Sequence, residues 1–501
     1  MNKKIKTLVT ASLLGMVGVA AASCGGAGGA KEKFEISISA RNYTSEKEML
    51  KIWEKGYEAT HPNVDVIVDA WGSEDTSEAY IMNHALDRSS MTNIIYTTDD
   101  TTAYIAQLKN LVDLRPYYEA EASTDYTNYY STMLDTTSFY GEFRPTTSYT
   151  GAYESEKSDD PQYGVYFAPR EYNMPALLCN VTLFKEHFAT EEEKANWNKE
   201  SMLKLFKRLG ESDEWNWRTF VKALQKIASF IYQKVDVEKD TTYFSYRSAF
   251  LNCSWEPTYT SFMKELGGDG LFKLNSRDEW EVNLQSSANT AVFDGILDDF
   301  AKGKNETKYI NITANGAKEF GTRKIFCAVV SYPEVGNYYE AFKRLDYELD
   351  AVPFPTEYVG AGCGGYAILT DKANGRGDGI QTIKSGESAK TEDLCWDFIK
   401  YTISKEGQNL AGKEGYIQPV LKELAETGEW LNSYEGKINQ TAFCTGKELR
   451  LDSFTFASPK ARSTMRDSVA SFFAQLFSPD KKDYTDILNR TVNELNEGLA
   501  E

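Results

Sequence analysis

The chain has 501 residues, 41% of them hydrophobic and 13% aromatic, with a formal net charge of -19. That length supplies a core for two or more lobes, and the acidic balance would repel a phosphate backbone or an anionic membrane face, so nucleic acid is excluded as a partner. Three histidines, and cysteines with no CxxC pair, are poor material for a metal site, and neither a metal nor a cofactor is expected.

The chain opens MNKKIKTLVTASLLGMVGVAAASC. Lys3, Lys4 and Lys6 precede an apolar run from Leu8 to Ala22, too short for a membrane-spanning helix and built as a secretory signal over residues 1–23. Ala21 to Cys24 (AASC) resembles a bacterial lipobox, with Ala21 where such boxes usually carry Leu. The resemblance implies that Cys24 is the lipidated first residue of the mature protein, held at the outer face of the cell membrane. Residues 24–33 then form a Gly-rich tether.

The first body element, Phe34 to Ala40, alternates like a strand. A helix with an apolar stripe through Met49, Leu50, Ile52, Trp53 and Tyr57 follows it. Val64 to Trp71 is a second strand, which completes a βαβ unit with parallel pairing. Asn93 to Thr98 is a third strand, and the helix after it ends near Pro116. Residues 120–163 read as an irregular surface insertion. Tyr163 to Pro169 is a strand, then the run Ala176 to Phe184, then a helix-rich stretch over 185–308. Further strands lie at Lys324 to Ser331, ELDAVPFP and GGYAILTD, and the last third is mostly helical. The six cysteines after Cys24 permit either disulfides or small buried hydrophobes.

Several segments together resemble the extracellular solute-binding proteins of bacterial ABC importers, in the carbohydrate-binding, maltose-binding-protein-like group. They are YEATHPNVDVIV, NIIYTTDDTTAYIAQLKNLVDLRPYY, YGVYFAPREYNMPALLCNVTLFKEHF, WRTFVKALQKIA, TRKIFCAVVSYPEV with YELDAVPFP and GGYAILTD, and DFIKYTISKEGQNLAGKEGYIQP. They run in family order and cover most of residues 34–425. Cys179 stands where the family carries an aromatic. The resemblance implies an α/β fold of two lobes, each a mainly parallel sheet flanked by helices, joined by a hinge of crossing segments. Residues 34–172 with 325–372 are expected as lobe 1, and 173–324 with 373–501 as lobe 2. It further implies a monomer that captures a sugar or oligosaccharide and passes it to membrane permease subunits.

A sugar presents hydroxyls to polar side chains and C–H faces to aromatic rings, and in a parallel sheet ligands sit beyond the carboxyl ends of the strands. The candidates at those ends are Tyr43, Trp71, Asp99 and Asp100, with Asn173 at the crossing. By resemblance, Asp100 occupies the family's sugar-hydroxyl aspartate position, and Trp255 and Tyr259 lie in the family's sugar-stacking segment. Tyr332 is at the next strand-to-helix corner, and Gly364 and Gly365 would let backbone approach ligand. Asp99 reads equally as a helix cap, and Trp71 as interlobe packing. No GxSxG, HExxH, P-loop or GxGxxG signature occurs, so an enzyme is not expected. Paired carboxylates of a secreted glycoside-active enzyme are the alternative.

Overall fold

The computed structural model describes residues 31–41, 44–70, 80, 84, 90–98, 111–120, 166–235, 245–277, 279–301, 309–311, 320–371, 375–450, 459–478 and 483–500. Its strands, in chain order, are β1 (Phe34–Ala40), β2 (Val64–Ala70), β3 (Ile94–Thr98), β4 (Ala168–Asn173), β5 (Ala176–Asn180), β6 (Arg247–Phe250), β7 (Phe272–Leu274), β8 (Trp280–Val282), β9 (Ile310–Asn311), β10 (Ile325–Val330), β11 (Leu349–Pro353), β12 (Tyr358–Ile368), β13 (Ile380–Thr382), β14 (Ser388–Lys390) and β15 (Lys447–Arg450).

Two sheets organise the chain. The first runs β15-β12-β3-β1-β2, with β4 also paired to β12, and the second runs β11-β5-β10-β6-β9. The expected βαβ unit is present: β1 pairs β2 in parallel, linked by the helix Thr44–Thr60, whose Met49, Leu50, Trp53 and Tyr57 are buried. That apolar stripe covers the sheet because residues three and four apart share a helix face. In the second sheet β10 pairs β6 in parallel and β5 antiparallel, and β5 pairs β11 antiparallel. Each sheet is therefore mixed, with parallel strands joined by antiparallel ones, and helices flank both.

Of the strand expected at 163–169, residues 163–165 lie outside the described residues, and the described strand runs Ala168–Asn173. The run from Ala176 splits at Asn180, whose side chain accepts a hydrogen bond from the Leu183 N–H (3.1 Å) and starts the helix Val181–His187. The strong helical spacing after Asn216 is realised as Trp217–Lys234, with Asn216 capping Thr219. Periodicity does not reveal the strand β15, which joins the edge of the first sheet through β12.

The expected lobe boundaries require correction. Residues 325–372 are expected in lobe 1, yet β10 and β11 belong to the second sheet. Residues 373–501 are expected in lobe 2, yet the helices Thr391–Thr402 and Lys405–Lys413 bury Phe398, Ile399 and Ala411 with the first sheet's core. An apolar strand such as β10 carries no local mark of which sheet it will join. The chain passes between the sheets at β4–β5, along β12, and again after Ile417. On β12, Val359 and Ala361 pack in the second lobe's core, and Tyr366, Ala367 and Ile368 in the first. The final helices, Pro459–Leu476 and Thr485–Ala500, complete lobe 2 by burying Phe472, Phe473, Leu476 and Leu495.

Five cysteines, Cys179, Cys253, Cys327, Cys395 and Cys444, are free thiols, all but Cys444 fully buried. For these five, the small-hydrophobe alternative holds over the disulfide one.

Candidate ligand-binding site between the lobes

Register locates the carboxyl ends of both sheets. In lobe 1, Arg41 directly follows the end of β1, and Thr98 at the end of β3 lies opposite Gly364. In lobe 2, Val330 at the end of β10 lies opposite Ala176, three residues beyond Asn173. The end of β6 leads through a short loop to Trp255 and the helix Glu256–Glu265. The crossing strands β4 and β12 connect the two edges, with Gly362 opposite Asn173. This seam is where ligands bind in sheets of this kind.

The lobe 1 side of the seam is a buried ionic cluster. Arg170 on β4 is fully buried and donates from Nη1 to Glu46 Oε1 (2.9 Å) and from Nη2 to Glu171 Oε2 (2.7 Å). Arg41 donates to Glu46 Oε2 through Nη2 (2.6 Å) and Nε (3.0 Å), and lies 3.8 Å from Glu171 Oε1. The Tyr96 ring lies under both guanidiniums, with centroid distances of 4.1 Å to Arg41 and 4.2 Å to Arg170. Tyr96 also donates its hydroxyl to Glu171 Oε1 (3.3 Å). Burial by itself pushes the Glu46 carboxyl up. The guanidiniums of Arg170 and Arg41 overcome that and hold it below the usual carboxylate value. Two cations and two anions balance. The Arg41 side chain, 24% exposed, is the member of the cluster that reaches the surface.

Buried polar atoms without partners occur on the crossing segments and on the helix that Trp255 precedes. Asn173 Oδ1, Thr258 Oγ1, Gln418 Oε1 and Arg170 Nε are buried without a hydrogen-bond partner among the described residues. A buried polar group left unpaired costs roughly 1–3 kcal/mol, so such a group implies a water or a ligand. The backbone around them is clamped. Gln408 donates to the Arg170 carbonyl (3.1 Å) and accepts from the Val420 N–H (2.9 Å), while the Gln418 carbonyl accepts from the Tyr172 N–H (3.1 Å). Two crossing segments are thus tied together at the point where the lobes meet.

Among the expected site residues, Asn173 and Trp255 lie at this seam. Trp255 is half-buried, precedes the helix Glu256–Glu265 at its N-cap, and packs one side on the lobe 2 core. Four others are corrected. Tyr259 is buried with its ring stacked on Phe473 (centroids 4.6 Å, 12°). Tyr332 is buried against Trp430 and Phe443 and exchanges a hydrogen bond with Ser433 Oγ (2.9 Å). Both rings are core residues, because the helix and 3-10 turn that carry them direct these positions inward. Gly364 and Gly365 serve sheet packing rather than ligand approach. A Cβ on Gly364 would lie 2.2 Å from Tyr96 Oη, and one on Gly365 would lie 2.2 Å from the Ala168 carbonyl oxygen. Tyr43, Trp71, Asp99, Asp100 and Cys24 lie outside the described residues, as do residues 121–163 of the expected insertion at 120–163. Arg41 stands in the loop after the first strand, where ligand contacts are expected, whereas Glu46, Tyr96 and Arg170 carry no such mark in the sequence. The one local sign was an Arg-Glu pair in the middle of an otherwise buried strand, APREYN.

Both carboxylates of the cluster, Glu46 and Glu171, are committed to guanidiniums, which leaves no free acid–base pair there. No group of three or more His, Cys, Asp or Glu capable of holding a metal occurs among the described residues. No described helix is long and apolar enough to cross a membrane.

Comparison with known proteins places this geometry. No curated protein sequence matches the chain significantly. Solved structures match in fold at low identity. The GacH receptor of Streptomyces glaucescens, solved unliganded and with acarbose, matches with a TM-score of 0.60 at 14% identity, over 94% of this chain and 99% of that one. An ABC substrate-binding protein of Listeria monocytogenes in complex with cycloalternan matches with a TM-score of 0.61 at 12% identity, over 93% and 99%. The maltose/maltodextrin-binding domain MalE of Bdellovibrio bacteriovorus, bound to maltotriose, matches with a TM-score of 0.58 at 14% identity, over 93% and 100%. The model of the bacterial extracellular solute-binding proteins matches residues 53–435. That family binds solutes and is not one of enzymes, so the paired-carboxylate hydrolase alternative falls. A two-lobed α/β fold with its polar seam at the carboxyl ends of both sheets, together with a family match over most of its length, makes this chain a member of the bacterial extracellular solute-binding protein family.

Proposed function

We propose that this protein is the capture component of an ABC importer, taking a sugar or oligosaccharide between its lobes and delivering it to membrane permease subunits while a lipid on Cys24 holds it at the cell surface. The observation that carries the ligand class is the seam itself. Its ionic cluster is charge-balanced, so an uncharged ligand suits it better than an ionic one. Asn173 Oδ1, at the crossing, and Thr258 Oγ1, in the first turn of the helix that Trp255 precedes, lack partners among the described residues, and a hydroxyl is the kind of group that would supply one. The acarbose, cycloalternan and maltotriose held by similarly folded proteins support the same class. Clamped crossing segments suit a hinge, in which few torsions absorb closure.

The test is a thermal-shift titration of the purified protein with maltotriose, acarbose and cycloalternan. A ligand at a hundred times its dissociation constant stabilises by about 2.7 kcal/mol, which is an easily read rise in melting temperature. No shift with any of the three, while a charged solute produces one, would overturn the carbohydrate reading. For the anchor, Cys24→Ser should move the protein from the membrane fraction to the medium, and an unchanged distribution would remove that part of the proposal.

A further inference from the structure

A cavity lies at the end of the lobe 2 sheet opposite the seam. In the pairing of β5 with its neighbours, Ala176 faces Val330 and Pro353 at the seam, whereas Asn180 faces Leu349 four residues further on, about 13 Å along the strand. The cavity opens beyond that far end, with a volume of about 490 Å³, lined by Val181, Leu349 and Asp350 at its base. It is therefore separate from the interlobe seam, and its volume suits a small organic ligand.

Asp350 makes the base of this cavity chemically unusual. It is only 4% exposed. Its Oδ1 accepts from the Ala351 and Asn439 N–H groups (2.8 and 2.9 Å), while Oδ2 accepts no hydrogen bond from any described residue. A buried carboxylate with one oxygen unused is an acceptor awaiting a donor. Lys199 supplies a positive charge near Asp350 and forms no ion pair with a described residue. The walls carry the aromatic rings of Trp197, Tyr339 and Tyr347. The charged lining balances: Lys199, Lys343 and Lys437 stand against Asp346, Glu348 and Asp350.

We infer that this cavity is a second ligand site, on the outer end of lobe 2, for an uncharged, hydroxyl-rich ring such as a saccharide unit. The reasons are physical. Aromatic faces cover C–H surfaces, a carboxylate oxygen and an ammonium supply acceptor and donor to neighbouring hydroxyls, and a balanced lining gives no net attraction to an ion. The inference does not depend on what the interlobe seam binds.

The probe is maltotriose, and the experiment uses the full chain. Hydrogen-exchange mass spectrometry on the unmodified protein should show added protection in peptides covering 195–199 and 346–350 at saturating maltotriose. Asp350→Asn keeps the shape and removes the charge, and Trp197→Ala removes a wall. Each should weaken that protection response at least tenfold in maltotriose concentration. Trp255→Ala, at the seam, should leave it unchanged, which separates this site from the interlobe one. Three outcomes would overturn the inference: no protection in those two peptides, an unaltered response in both Asp350→Asn and Trp197→Ala, or protection by the diamine cadaverine where maltotriose gives none.

Discussion

Strands β4 and β5 are separated by two residues and are both almost wholly buried, but they are made of opposite chemistry. The first reads APREYN and the second ALLCN. β5 is central to one sheet, with Leu177 and Cys179 in one apolar core and Leu178 in another on the opposite face. β4 passes between lobes, and its Arg170 and Glu171 meet Glu46, Tyr96 and Tyr366. Burial depth is thus a poor guide to polarity. What decides it is whether a strand's neighbours are packing faces or a surface shared by two lobes and, by our proposal, a ligand.

That contrast is open to direct attack. The largest effect is expected from Arg170→Ala, which strands Glu46 and Glu171 in the interior; losing one partner of a buried ion pair costs about 3–5 kcal/mol. Urea unfolding alongside Leu178→Ala, for which about 2–5 kcal/mol is expected, would compare the two strands on one scale. A loss below about 1 kcal/mol for Arg170→Ala would mean that the cluster is hydrated in solution and β4 is no true interior strand.

The two aromatic candidates of one segment sharpen the same point. Tyr259→Ala should remove about 3 kcal/mol of stability by emptying its place on Phe473, and leave the affinity of the folded fraction intact. Trp255→Ala should do the reverse, weakening maltotriose binding about tenfold, or about 1.4 kcal/mol, with little change in ligand-free melting temperature. Calorimetric titration and thermal unfolding on each variant decide. Gly364→Ala should cost about 1–3 kcal/mol, since the new Cβ meets Tyr96. Retained stability would show that β12 shifts freely against β3.

The smallest expected effects are in pH dependence, where the two regions have opposite signs. Glu46 has its folded-state value below the ordinary carboxylate one. Its contribution is present above the ordinary value and lost as pH falls through the depressed one. Glu46→Gln should therefore lower stability at pH 7 and flatten the acid limb. Asp350 is pushed up to about 6 by burial, against hydrogen bonds from the Asn439 and Ala351 N–H groups. The fold holds its proton over the window from about 4 to 6, so the penalty it carries at pH 7 is relieved as pH drops below about 6. Asp350→Asn should raise stability at pH 7 by on the order of 1 kcal/mol and change little at pH 4. Denaturant midpoints across pH 4–8 read both signs.

The elements with strong local signals were legible in the chain. The alternation of Phe34–Ala40, the stripe through Trp53 and Tyr57, and the helix begun by Asn216 are determined by residues within one or two turns of each other. The βαβ order and the family-like run of segments gave the two-lobed fold. Partner choice was not legible. β10 reads as a buried strand in any sheet, and the chain reveals nothing of its pairing with β5 and β6 rather than with lobe 1.

At the site the same division holds. The sequence by itself determined that polar and aromatic residues follow the strand ends, and Asn173 and Trp255 lie at the seam as a result. Only the tertiary structure decided that Tyr259 and Tyr332 turn inward, that Gly364 exists to admit Tyr96, and that Arg41, Glu46, Arg170 and Glu171, spread over 131 positions, close into one neutral cluster. The physical reason is range. Periodicity and capping are set by neighbours a few residues away, whereas the sign and depth of a buried charge depend on partners brought together from distant parts of the chain.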